Sequence, residues 1–203
     1  MIGVLEYVLK FVNWFFLIYL MIYATYLLLS VGVGARELYY ENKRRRIKNG
    51  IKHDFYFPVS ILVPAYNEEV TIVDSIESLL KLDYRLYEII IVDDGSSDNT
   101  VKELVEHFKM RRVHRPIRKR LECEKEKEIY RGYDLKVPVT LICKNNGGKG
   151  DALNMGINAS HYPYFVCIDA DSMLQKDSLE KIVQPVMEND KVVAVGGLIR
   201  VAQ

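Results

Sequence analysis

From Pro58 onward, short β-branched runs alternate with stretches whose apolar residues recur every three or four positions. Val59-Ser60-Ile61-Leu62-Val63 stops at Pro64, and Glu88-Ile89-Ile90-Ile91-Val92 stops at Asp93-Asp94-Gly95. Residues 137–143, Tyr164-Phe165-Val166-Cys167-Ile168 and Val192-Val193-Ala194-Val195 have the same character. Five buried strands are predicted. Between the first two, residues 68–81 place Val70, Val73, Ile76, Leu79 and Leu80 on one helical face. A helix capped by Asp98-Asn99-Thr100 carries Val101, Leu104, Val105 and Phe108 inward. Further helices are expected over 150–159 and 178–188. Alternating strands and helices specify an α/β fold, a Rossmann-like, mostly parallel sheet flanked by helices. Such sheets bind ligands beyond the C-terminal ends of their strands.

The N-terminal region has a different pattern. Residues 11–35 contain no charged side chain. A membrane span needs about 20 such residues, and a buried soluble helix is rarely apolar all round over this length. Trp14 and Tyr39-Tyr40 suit the two interfaces. A cleaved signal peptide is the alternative, because Val31-Gly32-Val33-Gly34-Ala35 is rich in small residues, but its apolar core is normally shorter. Lys43, Arg44, Arg45, Arg46 and Lys48 follow the run, whereas Glu6 and Lys10 before it nearly cancel. The positive-inside rule then places the following domain in the cytoplasm, anchored to the cell membrane by a single pass. The expected organisation is a transmembrane helix over 1–36, a basic linker over 37–57 and an α/β domain over 58–203.

Charge changes the picture once more between 107 and 136. Lys109, Arg111, Arg112, Arg115, Arg118, Lys119 and Arg120 form a basic block, and Glu122, Glu124, Glu126 and Glu128 follow. The expectation is a surface insertion or a helical excursion with a solvated face. Formal net charge over the 203 residues is +1, so no global field draws the chain to nucleic acid. Cys123, Cys143 and Cys167 lack metal-ligand spacing. Cys143 and Cys167 lie in apolar runs and read as buried thiols, which suits a reducing compartment.

The candidate chemistry sits at four strand ends. Asp169 and Asp171 close Cys167-Ile168-Asp169-Ala170-Asp171-Ser172. In extended backbone both would point to one face, where they can share a hard cation such as Mg2+ or Mn2+ with substrate phosphates. The bland alternative is a turn or a cap. Asp93-Asp94-Gly95-Ser96 is ordinary turn chemistry, or a hydrogen-bonding edge for a base or ribose. Pro64-Ala65-Tyr66-Asn67-Glu68 offers Tyr66 for stacking or for packing. Asn146-Gly147-Gly148-Lys149 turns into a helix, where backbone N–H groups and one lysine can meet phosphate. It is not a Walker A loop, and no G-x-G-x-x-G follows the first strand. Taken in order, the four describe a site for a metal-bound nucleoside diphosphate.

These motifs resemble those of the membrane-bound family 2 glycosyltransferases with a GT-A fold. They are most similar to the processive polysaccharide synthases that make poly-N-acetylglucosamine, hyaluronan or cellulose. The match begins near Pro58. The resemblance implies transfer of a sugar from a UDP-sugar donor to a glycan acceptor, with inversion at the anomeric carbon. It implies that residues 64–68 hold the nucleobase, with Tyr66 on the uracil ring. Asp94 would meet the uracil edge, with Asp93 supporting its loop. Lys149 would lie near the diphosphate, with Asp169 on the nucleotide and Asp171 on the metal. The acceptor-side general base of that family, usually in a T/G-E-D motif, and its Q-x-x-R-W motif are not among these residues, so an N-terminal part of a longer enzyme is expected. The alternatives are a non-catalytic nucleotide-sugar-binding membrane subunit working with a complementing synthase, and a nucleotidyltransferase. The latter normally opens with a Gly-rich loop that 63–68 does not provide.

Overall fold

The computed structural model describes residues 2–50, 56–189 and 191–197. The chain divides into two compact units, a long helix and an α/β domain. The helix, α1, runs Ile2–Gly50 without a break. Within it, Leu9–Tyr40 is long and apolar enough to cross a membrane. Helical backbone therefore continues through the basic cluster, where a linker was expected. Residues 51–55 of that linker lie outside the described residues.

In the α/β domain, β1 (Val59–Ala65) leads to α2 (Ile72–Leu80), β2 (Tyr87–Asp93) and α3 (Thr100–His107). Then come β3 (Arg111–Arg112), β4 (Glu126–Gly132) and β5 (Val139–Lys144). The chain ends its regular structure with α4 (Lys149–Ala159), β6 (Tyr164–Cys167) and α5 (Ser178–Glu188). The sheet order is β3-β4-β5-β2-β1-β6. β5, β2, β1 and β6 are mutually parallel, whereas β4 pairs antiparallel with β5, and β3 antiparallel with β4 at the edge.

Period-two alternation divides the core between the two faces of the sheet. Val59, Ile61, Val63, Ile89, Ile91, Val139 and Leu141 pack with α2, α3 and α5. Leu62, Ile90, Val92 and Ile142 pack with Ala152, Met155 and Ala159 of α4. Val113, Ile117 and Cys123 join that second cluster from the charged segment. The segment is therefore no helical excursion. It supplies the edge strand β3, its neighbour β4 and a strap over α4.

Three local expectations fail for identifiable reasons. Val70 is 84% exposed, because residues 69–71 form a turn and α2 begins only at Ile72. β6 lies at the sheet edge among the described residues, so Tyr164 and Phe165 are exposed and Cys167 is not a buried thiol. Cys143, with neighbours on both sides in β5, is buried, and burial pushes its thiol up to about 12. Residues 192–195 form no strand, and Val193 is 97% exposed.

Candidate functional site

The ends of β1 and β2 are laced to each other. Asn67 N–H donates to Ser96 Oγ at 2.9 Å, and Ser97 N–H returns a bond to Asn67 Oδ1 at 2.8 Å. Glu68 N–H reaches Thr100 Oγ1 at 2.9 Å, and Glu69 N–H reaches Asp98 Oδ2 at 3.1 Å. The Glu69 carboxylate accepts Asn99 N–H at 2.9 Å. Asn67 sits at φ 55°, a left-handed conformation that asparagine tolerates better than most residues. Desolvation opposes the charge of Asp98, but bonds from Thr100 and Glu69 outweigh it and hold that carboxyl below its ordinary value. Asn67 thus joins two loops rather than lining a cavity.

Asp93 is buried and accepts Ser96 N–H at 3.3 Å. Burial raises its pKa. Asp94 is also buried, and both its oxygens are engaged. Oδ1 receives Lys144 Nζ and, at 3.0 Å, Gly147 N–H. Oδ2 receives Gly148 N–H at 2.7 Å. Three of the roughly four acceptor positions of a carboxylate are therefore filled from within the protein. The two glycine N–H groups point inward to Asp94, whereas the sequence suggested that they face a ligand. Gly147 is required here because a Cβ would sit 2.7 Å from Asp151 Cγ.

Lys144 was missed by the sequence reading. It ends an apolar strand, and nothing local distinguishes it from a solvated lysine. Its side chain is fully buried. Besides Asp94, its ammonium reaches Asp151 Oδ1 at 2.7 Å and Asn145 O at 2.7 Å. Desolvation works against its charge, but the bonds to Asp151 and Asp94 raise its pKa overall.

On the other wall, Lys149 Nζ meets Asp169 Oδ1 at 2.6 Å, with both side chains largely exposed. That hydrogen bond raises the lysine pKa. Ile168 and Ala170 are buried while Asp169 and Asp171 are exposed, so alternation continues past β6 and both carboxylates emerge together. Ser172 N–H closes a turn onto Asp169 O at 3.0 Å.

Pro64, Ala65, Tyr66, Glu68, Asp94, Asn146, Gly148, Lys149, Asp169 and Asp171 line one cleft of about 360 Å³. This is within the size range of small-molecule sites, roughly 300–1,000 Å³. Asn67 and Asp93 stand behind it. Tyr66 is 51% exposed and open to the cleft. Among the described residues, no three His, Cys, Asp or Glu side chains form a metal cage. Two carboxylates sharing a cation with ligand oxygens match how Mg2+ is usually held.

An α/β domain with a carboxylate- and lysine-lined cleft at the ends of its parallel strands belongs to the class of open-sheet folds that bind ligands there. Within it, the sequence pattern of Glycosyl transferase family 2 matches residues 60–123 and 124–203. The chain belongs to that family. It is 34% identical over 143 residues to a poly-beta-1,6-N-acetyl-D-glucosamine synthase of Staphylococcus epidermidis, covering 70% of this chain and 29% of that protein. It is 31% identical over 186 residues to the Staphylococcus aureus (strain COL) synthase of the same description, covering 90% of this chain and 39% of that protein. The chain thus spans well under half of these relatives. Among solved structures, a mannosyltransferase from Pyrobaculum calidifontis, in complex with GDP-Man and Mn2+, aligns at TM-score 0.49 and 25% identity. That alignment covers 75% of this chain and 40% of the other.

Proposed function

We propose that this chain provides the donor-binding part of a membrane-anchored enzyme that transfers a sugar from a UDP-sugar to a glycan hydroxyl, with inversion. The observation that carries the reading is the convergence of Pro64, Ala65, Tyr66, Glu68, Asp94, Lys149, Asp169 and Asp171 on one cleft. Tyr66 is exposed to stack on the uracil ring, and the backbone of 64–68 borders it. Asp94 keeps one acceptor position for the base edge while its other bonds hold the loop. Lys149 meets the diphosphate, and Asp169 and Asp171 hold Mg2+ or Mn2+ jointly with phosphate oxygens. Such a cation, when bound, offsets the charge that develops on the leaving diphosphate. In the unliganded site Lys149 neutralises Asp169, so binding a metal diphosphate exchanges one ion pair for another. The acceptor-side base is expected in a longer or complementing chain. The similarity to poly-beta-1,6-N-acetyl-D-glucosamine synthases favours a polysaccharide as product. α1 supplies the anchor, with the basic cluster 43–48 on the cytoplasmic side of the plasma membrane.

The test is calorimetric titration of the full chain in detergent with UDP, with and without Mn2+. Metal-dependent binding that Asp171→Asn abolishes is expected. Equal affinity with and without metal overturns the metal role, and no binding overturns the donor reading.

A further inference from the structure

Lys144 belongs to none of the four motifs, yet it stands behind two of the loops that build the cleft, the one after β2 and the one from β5 into α4. An ammonium has three donors, and here each has its own acceptor: Asp94 at the end of β2, Asp151 in the first turn of α4, and the carbonyl of Asn145. The Asp94 carboxylate so neutralised grips the N–H groups of Gly147 and Gly148. Those two bonds fix the turn from which α4 and Lys149 spring. The first-turn N–H groups of a helix have no intrahelical acceptor, so the turn decides where those of α4, and the Lys149 side chain, are aimed. Asp151 extends the network outward, because it also accepts Glu124 N–H at 3.0 Å from the strap.

We propose that Lys144 is a positioning residue for the donor diphosphate: its buried ammonium locks Asp94 onto the 147–148 turn and so presets the N-terminus of α4 and Lys149 toward the cleft. The proposal rests on the donor reading above. Without the cation, Asp94 and Asp151 become neighbouring carboxylates with no counter-charge, and a buried unpaired carboxylate must protonate or swing toward water. In either case its hold on the two glycine amides weakens. An exposed lysine at this position would lack that effect, because solvent would take its place.

Two readouts on the full chain test this. Amide hydrogen exchange of the unliganded protein reports the turn without any ligand. In Lys144→Met, exchange at 147–148 is expected to accelerate while the amides of β1 and β2 keep their protection. Titration with UDP and Mn2+ reports the consequence, with affinity expected to fall about tenfold or more, as for loss of a buried charge partner. Should Lys144→Met fail to fold, Asp94→Asn/Lys144→Met removes both buried charges together. An asparagine presents one acceptor oxygen where the two glycine N–H groups use both carboxylate oxygens, so one of them loses its acceptor and the same loosening in exchange at 147–148 is expected. Uniform acceleration across the whole sheet, or unchanged UDP affinity in a folded variant, overturns the proposal. If the unsubstituted chain binds no UDP, the donor reading fails instead, and exchange at 147–148 still decides whether Lys144 sets the turn.

Discussion

At Gly95 the backbone holds φ 77°, and a Cβ would lie 2.9 Å from the Asn146 N atom. Both facts demand glycine there, since the left-handed conformation is strained for other residues and the contact is with backbone that cannot step aside. Gly95→Ala should cost about 1–3 kcal/mol in urea unfolding. An unchanged unfolding midpoint would show that the 94–95 turn is free to relax. Asp-Gly after a strand is legible as a turn from sequence alone, but the reason for the glycine is Asn146, some 50 residues later. The same holds for the charged groups. Asp169 and Asp171 announce themselves by spacing at a strand end. Lys144 does not, because its meaning depends on two carboxylates, one of them 50 residues earlier. Cys143 and Cys167 both lie in apolar runs, yet only Cys143 is buried. Apolar neighbours in sequence do not decide burial when the strand itself is at an edge.

Helices and central strands were read well because their apolar residues repeat with the period of the element. α5 was expected over 178–188 and is found at Ser178–Glu188. The segment 107–136 was misread because β3 is only two residues long and β4 is rich in charge, so neither carries the apolar run that marks the central strands. β4 alternates only weakly, and its place is set by its antiparallel register with β5. The strap between β3 and β4 is held from below by α4. Asn158 Oδ1 accepts Arg120 N–H and Leu121 N–H, each at 2.9 Å, and its Nδ2 donates to Leu121 O at 2.8 Å. Asn154 Nδ2 donates to Glu122 O at 3.0 Å one turn earlier. Asn158 is buried, so removing its amide leaves several strap groups unpaired. Asn158→Ala should destabilise the domain by about 1–3 kcal/mol. It should also speed tryptic cleavage at Arg118, Lys119 and Arg120 relative to sites elsewhere. Unchanged cleavage kinetics would show that apolar packing of Val113 and Ile117 suffices to hold the strap.

For the molecule as a whole, α1 and the α/β domain present different problems to solvent. An apolar helix whose large side chains are exposed along its length needs lipid or another apolar partner. For the proposed cytoplasmic placement of the domain, Cys167 is the exposed reporter of orientation. In a Cys123→Ser background, a membrane-impermeant maleimide should leave intact cells unlabelled and label Cys167 in inside-out vesicles. Labelling of intact cells would reverse the orientation. The sequence by itself determined the apolar helix, the parallel core strands and the four strand ends whose motifs border one cleft. Each of these rests on local periodicity or on turn chemistry, which short stretches of chain encode. Only the tertiary structure decided that β6 is exposed, that 107–136 supplies the edge strand β3 and its neighbour β4, and that Asp94 spends its oxygens on Lys144 and two glycine amides. Edge position and ion-pair partners depend on which distant segments meet, and that is fixed when the sheet assembles.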